Sequence, residues 1–140
     1  MPIYGDGKQV RDWLYVLDHC KGIELVLAKG KIGVTYNIGG WNEKTNIEVV
    51  HILCELLDEI KPLKKGNSYK DQIIFVKDRP GHDRRYAIDA NKIYNDLGWK
   101  PEETFDTGIR KTIEWYLDNP EWIENIQSGD YKIWVNKQYQ

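Results

Sequence analysis

Several short segments of the chain have the hydrophobic pattern of β-strands, with apolar residues that alternate with polar ones or run consecutively. Gly5 and Gly7 separate the first two segments. Because glycine accepts positive φ angles, we predict a tight hairpin at this point. The predicted strands are residues 2–4, 9–15, 34–38, 73–76 and 86–88.

Between these segments, apolar residues recur every three or four positions, which predicts amphipathic helices. Asp18 and Asp89 are placed to cap two of them, and Thr45 with Glu48 fits a capping box for another. Gly30 is placed to end the first helix. The predicted helices are residues 18–29, 46–60, 91–97, a segment that begins at Thr104 or Asp106, and 121–127.

Strands that alternate with helices predict an α/β fold, made of small sheet pieces packed with four or five helices. The length of 140 residues fits one domain, residues 1–140, with one sizeable core. Residues 130–140 carry aromatic and aliphatic side chains, and we expect this tail either to dock on the core or to remain loose.

A charged turn between two predicted strands is the main candidate for binding chemistry. Residues 78–86 contain three arginines, a histidine and two aspartates, interrupted by Pro80 and Gly81. This pair defines a sharp turn. A guanidinium such as that of Arg79 donates a planar fork of hydrogen bonds to phosphate oxygens, so Arg79 and His82 suit a phosphate or diphosphate. The alternative is a solvated loop with internal Asp–Arg pairs.

Two further side chains are candidates for contact with an anion. In an alternating strand Arg11 shares a face with Trp13 and Tyr15, so it is either a surface arginine or an anion contact beside an aromatic wall. Asn46 lies in the first turn of a predicted helix, where free N–H groups and the helix dipole favour an anion. The alternative for Asn46 is a surface residue that helps to cap the helix.

Composition and motifs limit the function classes. The net charge of −2 provides no overall attraction for nucleic acid or an acidic membrane. Cys20 and Cys54 fall inside predicted helices, which indicates buried, reduced thiols and a cytoplasmic protein. The sequence has no run of membrane-spanning length, no Gly-x-Gly-x-x-Gly turn, no P-loop and no cluster of Cys and His with zinc-ligand spacing. We therefore expect no metal, nucleic acid or membrane partner.

Four stretches taken together resemble the C-terminal part of the dTDP-glucose 4,6-dehydratases, which are extended short-chain dehydrogenases/reductases that act on nucleotide sugars. The most specific of the four is the string Asp-Arg-Pro-Gly-His-Asp-x-Arg-Tyr in the charged turn. The stretches are residues 2–19, 36–46, 78–89 and 97–101, followed by a helix that ends in Trp-Tyr. The resemblance covers nearly the whole chain.

The resemblance implies a binding site for a dTDP-sugar. Residues that match Pro2, Ile3 and Tyr4 line the nucleotide in the family, and residues that match Arg11 and Arg79 contact the diphosphate. The matches of Asn46, Pro80, Gly81 and His82 complete the pocket. Asp78 is in a position to orient Arg79, and Tyr86 to lie near the pocket wall.

The family's catalytic and cofactor-binding parts have no counterpart among these stretches, so the resemblance implies the C-terminal, substrate-binding portion of the fold without a complete Rossmann domain. The family enzymes are lyases of nucleotide-sugar metabolism, roughly twice this length, and their N-terminal half holds NAD, a Tyr-x-x-x-Lys pair, a Thr and an adjacent Asp-Glu. We therefore expect a C-terminal fragment that binds dTDP-glucose or a related nucleotide sugar, holds no cofactor and is inactive alone. Residues 34–38 match a strand of the family's Rossmann sheet. Without its neighbouring strands this segment would expose an unpaired edge, which invites self-association. The alternatives are a non-catalytic binding or oligomerisation module and a gene remnant.

Overall fold

The computed structural model describes residues 1–127 and 129. Its elements in chain order are strands β1 (Pro2–Tyr4) and β2 (Val10–Asp12), helix α1 (Val16–Lys29), strand β3 (Glu43–Thr45), helix α2 (Asn46–Ile60), strands β4 (Ile74–Val76) and β5 (Arg85–Tyr86), and helices α3 (Asn91–Leu97), α4 (Phe105–Asp118) and α5 (Pro120–Gln127). Five helices with short strands confirm the predicted α/β class. The tail, residues 130–140, lies outside the described residues.

The strands form two small sheets. In one, β1 pairs with β4 in parallel, with Ile3 opposite Phe75. In the other, β2 lies between β3, which is antiparallel, and β5, which is parallel. The predicted hairpin between the first two strands is therefore wrong, because β1 and β2 belong to different sheets. The intervening Gly5-Asp6-Gly7 turn connects the sheets instead, and both glycines have positive φ angles.

Helix α2 forms as its sequence predicts. The Thr45 hydroxyl accepts a hydrogen bond from the Glu48 N–H, and the Glu48 carboxylate accepts one from the Thr45 N–H, which is the predicted capping box. Cys54 is fully buried on this helix, as predicted, and Val49 is buried beside it. The segment after α2, which the sequence predicts as loop, contains two short 3₁₀ turns, Lys64–Gly66 and Tyr69–Gln72.

Helix α1 differs from the prediction at its start. It begins at Val16 with Tyr15 at the cap position, and Asp18 lies buried inside the first turn. The Asp18 carboxylate accepts a hydrogen bond from the N–H of Glu103, 85 positions away, instead of capping its own helix. Cys20 is exposed on this helix, so the predicted burial of that thiol is wrong.

Residues 34–38 are extended but do not form the predicted strand. Strand pairing needs a neighbouring edge, and within the described chain no other strand pairs with this segment. Its side chains serve the core instead. Tyr36 and Ile38 pack with Leu14 and Leu25 around the buried cluster Ala90, Ile93 and Trp99.

The start of α3 is also shifted by one residue. Ala90 is at its cap position, although the Asp89 carboxylate still accepts a hydrogen bond from the Asn91 N–H at 2.9 Å. Helix α4 begins after Thr104, whose hydroxyl accepts a hydrogen bond from the Thr107 N–H, so the first of the two predicted starts is correct.

Candidate functional site

The charged turn lies beside the end of β1. Parallel pairing places Tyr4 opposite Val76, and the Gly5 N–H donates to the Val76 carbonyl at 2.9 Å. A side chain at Gly5 would meet the Asp78 carboxylate, because a Cβ there would lie 2.7 Å from Asp78 Oδ2. Glycine at this position therefore lets the loop after β1 pack directly against the turn after β4.

Asp78 is the hydrogen-bonding centre of the turn. Its Oδ1 accepts hydrogen bonds from the Arg79 N–H at 2.9 Å and from His82 Nδ1 at 2.7 Å. Its Oδ2 accepts one from the Gln9 side-chain amide at 3.1 Å. The His82 hydrogen bond is the largest of the effects that lower the pKa of Asp78 below its ordinary value. At neutral pH the residue is therefore an anion that organises both ends of the turn.

Arg79, Pro80 and Gly81 form the exposed tip of the turn. Gly81 has a φ of 67°, as its place after proline predicts. Within residues 1–127, the guanidinium of Arg79 has no hydrogen-bond or ion-pair partner. The neighbouring arginines are used differently, since Arg84 pairs with Asp6 and Arg85 pairs with Glu43. Of the three arginines of this turn, Arg79 is thus the one whose guanidinium has no partner among the residues that the structure describes.

Arg11 reaches the same turn from β2. Its Nη1 donates to the carbonyls of Val10 at 2.7 Å and Asp83 at 3.1 Å. Its guanidinium carbon lies 5.9 Å from the centre of the Tyr86 ring on β5. This ring is neither Trp13 nor Tyr15, the two aromatic residues that the strand pattern places on the same face as Arg11, and the role of Arg11 as an anion contact stays a prediction.

The expectation of free N–H groups around Asn46 is wrong. The N–H of Asn46 donates to the Gln9 carbonyl at 3.0 Å, that of Ile47 to the Gly7 carbonyl at 2.9 Å, and that of Glu48 to Thr45. The loop between β1 and β2 therefore saturates the start of α2. The Asn46 side-chain amide, in contrast, has no hydrogen-bond partner in the described part of the chain.

The three predicted residues of β1 differ in accessibility. Pro2 and Tyr4 are exposed, Tyr4 at 52%, whereas Ile3 is 5% exposed. Tyr4 and Lys8 also have the spacing of a Tyr-x-x-x-Lys pair. However, Tyr4 ends a strand and Lys8 follows a glycine with a positive φ, so the two residues do not share the face of a helix.

Gln9 joins this cluster without having been predicted. Its side chain is buried and bonds Asp78, while its carbonyl bonds the start of α2. The available signal in the sequence was a glutamine directly before a partly apolar strand. Periodicity does not reveal its partner, Asp78, because that residue is 69 positions away.

A large apolar groove lies elsewhere, between the end of β2 and helices α4 and α5. Its volume is about 610 Å³, and Trp13, Tyr15, Phe105, Trp115 and Trp122 are among its lining residues. None of the predicted site residues lines it. Across residues 1–127 and 129, acidic, His and Cys side chains form no group of three that could hold a metal ion. No helix in that part has both the length and the apolar character needed to cross a membrane.

Comparisons with known proteins agree with the predicted family. Residues 1–112 match the family model described as GDP-mannose 4,6 dehydratase. Over its whole length the chain is 61% identical to a dTDP-glucose 4,6-dehydratase of Escherichia coli, and over 135 residues it is 56% identical to that of Neisseria meningitidis serogroup B. The chain spans 38% of the length of each of these relatives.

Solved structures match a large and similar share of this chain. A dTDP-glucose 4,6-dehydratase from Bacillus anthracis in complex with NAD is 52% identical, with a TM-score of 0.74 over 86% of this chain and 35% of that one. The enzyme DesIV from Streptomyces venezuelae, with NAD and TYD bound, is 42% identical with a TM-score of 0.77, over 87% of this chain and 35% of that one. A UDP-glucose 4-epimerase from Thermotoga maritima is 29% identical, with a TM-score of 0.68, over 84% and 35%.

Proposed function

This chain belongs to the GDP-mannose 4,6 dehydratase family, and on that premise we propose that it forms the dTDP-sugar-binding part of a dTDP-glucose 4,6-dehydratase and is inactive alone. The observation that carries the proposal is the guanidinium of Arg79, which has no partner among residues 1–127 and is presented on a turn that Asp78 organises. A diphosphate has negative oxygens that match this fork of donors.

The other predicted residues would add further contacts to the proposed site. Arg11 and the Asn46 amide supply further donors, while Pro2 and the exposed Tyr4 supply a surface for the nucleoside. Asp78, although negative, has both of its oxygens engaged by donors, so its charge is partly neutralised where the diphosphate binds. His82 donates Nδ1–H to Asp78, which in the neutral imidazole leaves Nε2 as an acceptor.

We propose that NAD belongs to the portion of the relatives that this chain does not span. The sequence has no Gly-x-Gly-x-x-Gly turn, which is the element that holds the pyrophosphate of a dinucleotide in a Rossmann domain. We assign no reaction step to this chain. Its contribution is to bind and orient the nucleotide diphosphate of the substrate.

Incubation of the purified chain with dTDP-glucose and NAD tests both parts of this proposal. We expect dTDP-glucose to raise the melting temperature in a saturable way, because a ligand of the folded state stabilises it, and we expect no 4-keto-6-deoxy sugar to form. Mass spectrometry of the sugar nucleotide detects that product. Its formation would contradict inactivity, and an unchanged melting temperature would contradict substrate binding.

A second candidate function, an oligomerisation module, is favoured by the outer face of α1. Leu17, Ile23 and Leu27 are exposed on this helix, Leu27 at 84%, and Ile32 follows fully exposed. Several exposed apolar side chains on one helix indicate a surface that another body covers. For this candidate the covering body is a second copy of the chain, whereas under the first proposal it is the part of the relatives outside this chain. Sedimentation velocity of the chain alone measures self-association. Self-association of wild type that is lost in Leu27→Glu would favour the second candidate.

A further inference from the structure

Gln9 is a buried polar residue at the centre of the candidate site. It is 2% exposed, yet it lies in the connection between β1 and β2, next to the exposed Lys8. Its side-chain amide donates to Asp78 Oδ2 at 3.1 Å, and its carbonyl accepts the N–H of Asn46 at 3.0 Å. One residue thereby joins the charged turn to the start of α2.

The burial of Gln9 is not explained by stability alone. Its Oε1 is buried without a hydrogen-bond partner in the described part of the chain, which opposes folding. Rotating the amide by 180° would not help, because it would place Oε1 against the Asp78 carboxylate. An apolar side chain of similar size would fill the same space without an unpaired acceptor. The feature that requires an amide is the bond to Asp78.

Asp78 transmits this contact to the tip of the turn. Gln9 bonds Oδ2 of the carboxylate. The other oxygen, Oδ1, accepts hydrogen bonds from the Arg79 N–H and from the His82 ring. The side chain of Asp78 is only partly buried, and its own segment engages Oδ1, through the Arg79 N–H and the His82 ring. Gln9 engages Oδ2 from the connection between β1 and β2 and so adds a constraint from outside that segment.

We infer that Gln9 is a positioning residue that locks Asp78, and through it Arg79 and His82, in the geometry that binds the diphosphate of a nucleotide sugar. The inference rests on the proposed function for its ligand. The locking itself is a property of the free chain and is measured without a ligand.

The variant Gln9→Met removes the amide while it keeps the length and volume of the side chain. We expect the Arg79 amide, measured by NMR, to exchange with solvent at least about tenfold faster, because its acceptor is no longer fixed. We also expect dTDP affinity, measured by calorimetry, to fall at least about tenfold. A double-mutant cycle with Asp78→Asn gives losses that are not additive if Gln9 acts through Asp78.

Two further variants separate positioning from a general loss of stability. Asp58→Asn is the matched control, because Asp58 also accepts two hydrogen bonds, from Ser68 and Tyr69, but lies outside the site. We expect its dTDP affinity to be unchanged. Gln9→Glu is a second probe that retains polarity. We expect the dTDP affinity of this variant, relative to wild type, to be lower at pH 8 than at pH 5. At pH 8 the two carboxylates repel each other, whereas at pH 5 a protonated Glu can donate a hydrogen bond to Asp78.

The outcomes distinguish this inference from the proposed function. If Gln9→Met leaves exchange of the Arg79 amide unchanged, the positioning role is overturned whether or not dTDP binds. Faster exchange with undiminished dTDP affinity also overturns it. If the wild-type chain does not bind dTDP, the proposed function fails. The exchange rate of the Arg79 amide in Gln9→Met, compared with that in the Asp58→Asn control, then decides the locking role by itself. If Gln9→Met does not fold, the positioning role is decided by Gln9→Glu. Its dTDP affinity relative to wild type is compared at pH 5 and pH 8, and an equal ratio at the two pH values overturns the role.

Discussion

Replacement of Arg79 by alanine is expected to weaken dTDP binding by about 1.5–3 kcal/mol, or roughly 10- to 150-fold, which is the scale of a hydrogen bond to a charged group. The guanidinium has no partner within residues 1–127, so its removal breaks no hydrogen bond or ion pair in that part of the chain. The loss should therefore appear in affinity and not in stability. Calorimetric titration of wild type and Arg79→Ala with dTDP measures it.

Arg84→Ala is the matched control for this prediction. Arg84 belongs to the same charged segment and is exposed, but its guanidinium is engaged by Asp6 at 2.9 Å. We expect its substitution to change dTDP affinity by less than about threefold, since exposed ion pairs contribute little. Equal affinities of wild type and Arg79→Ala, with both proteins folded, would remove Arg79 from the site.

Replacement of Asp12 by alanine is expected to lower the free energy of unfolding by about 2–4 kcal/mol, because it leaves two backbone donors without an acceptor. Asp12 Oδ2 accepts the N–H of Gly40 at 2.7 Å, and Oδ1 accepts that of Asn42 at 2.8 Å. Gly40 itself is buried, and a Cβ there would lie 2.3 Å from the Trp13 carbonyl oxygen, so the segment has little freedom to find other partners. Urea unfolding followed by circular dichroism measures the loss.

Asp6→Ala provides the comparison for Asp12. Asp6 also accepts two hydrogen bonds, from the Lys8 N–H and from Arg84, but its donors are exposed to solvent. Water can replace the lost acceptor there, so we expect a clearly smaller loss. A loss for Asp12→Ala that does not exceed that of Asp6→Ala would show that the carboxylate does not hold the 40–42 segment.

Features encoded by neighbouring residues were predictable from the sequence. The capping box of Thr45 and Glu48 spans four positions, and the helix that follows ends at Ile60 as its pattern predicts. The sharp turn at Pro80 and Gly81 likewise follows from the backbone preferences of these two residues. Where the physical cause is local, the pattern was sufficient.

Features that depend on distant residues were not predictable in this way. Asp18 has the character of a helix cap, but its carboxylate is used by the N–H of Glu103. Residues 34–38 have strong β propensity, but a strand also needs a partner edge, which the described residues do not supply. The free N–H groups expected at Asn46 are occupied by the carbonyl oxygens of the β1–β2 loop.

The candidate site shows the same division. Arg79, His82 and their turn were predicted from residue types, and the role of Arg79 as a ligand contact stays a prediction. Gln9 was not predicted, since its contact with Asp78 joins residues that are 69 positions apart. The family resemblance named the residues around the ligand but could not describe the hydrogen bonds that hold them in place.

Calorimetric titration of the purified chain with dTDP, and in parallel with UDP, is the most direct test of the central claim that this chain binds a dTDP-sugar. The account predicts saturable binding of dTDP with one site per chain and a weaker affinity for UDP. If neither nucleotide binds, the claim is contradicted, and the arrangement of Arg79, Asp78 and Gln9 is then a structural feature of the turn and not a ligand site.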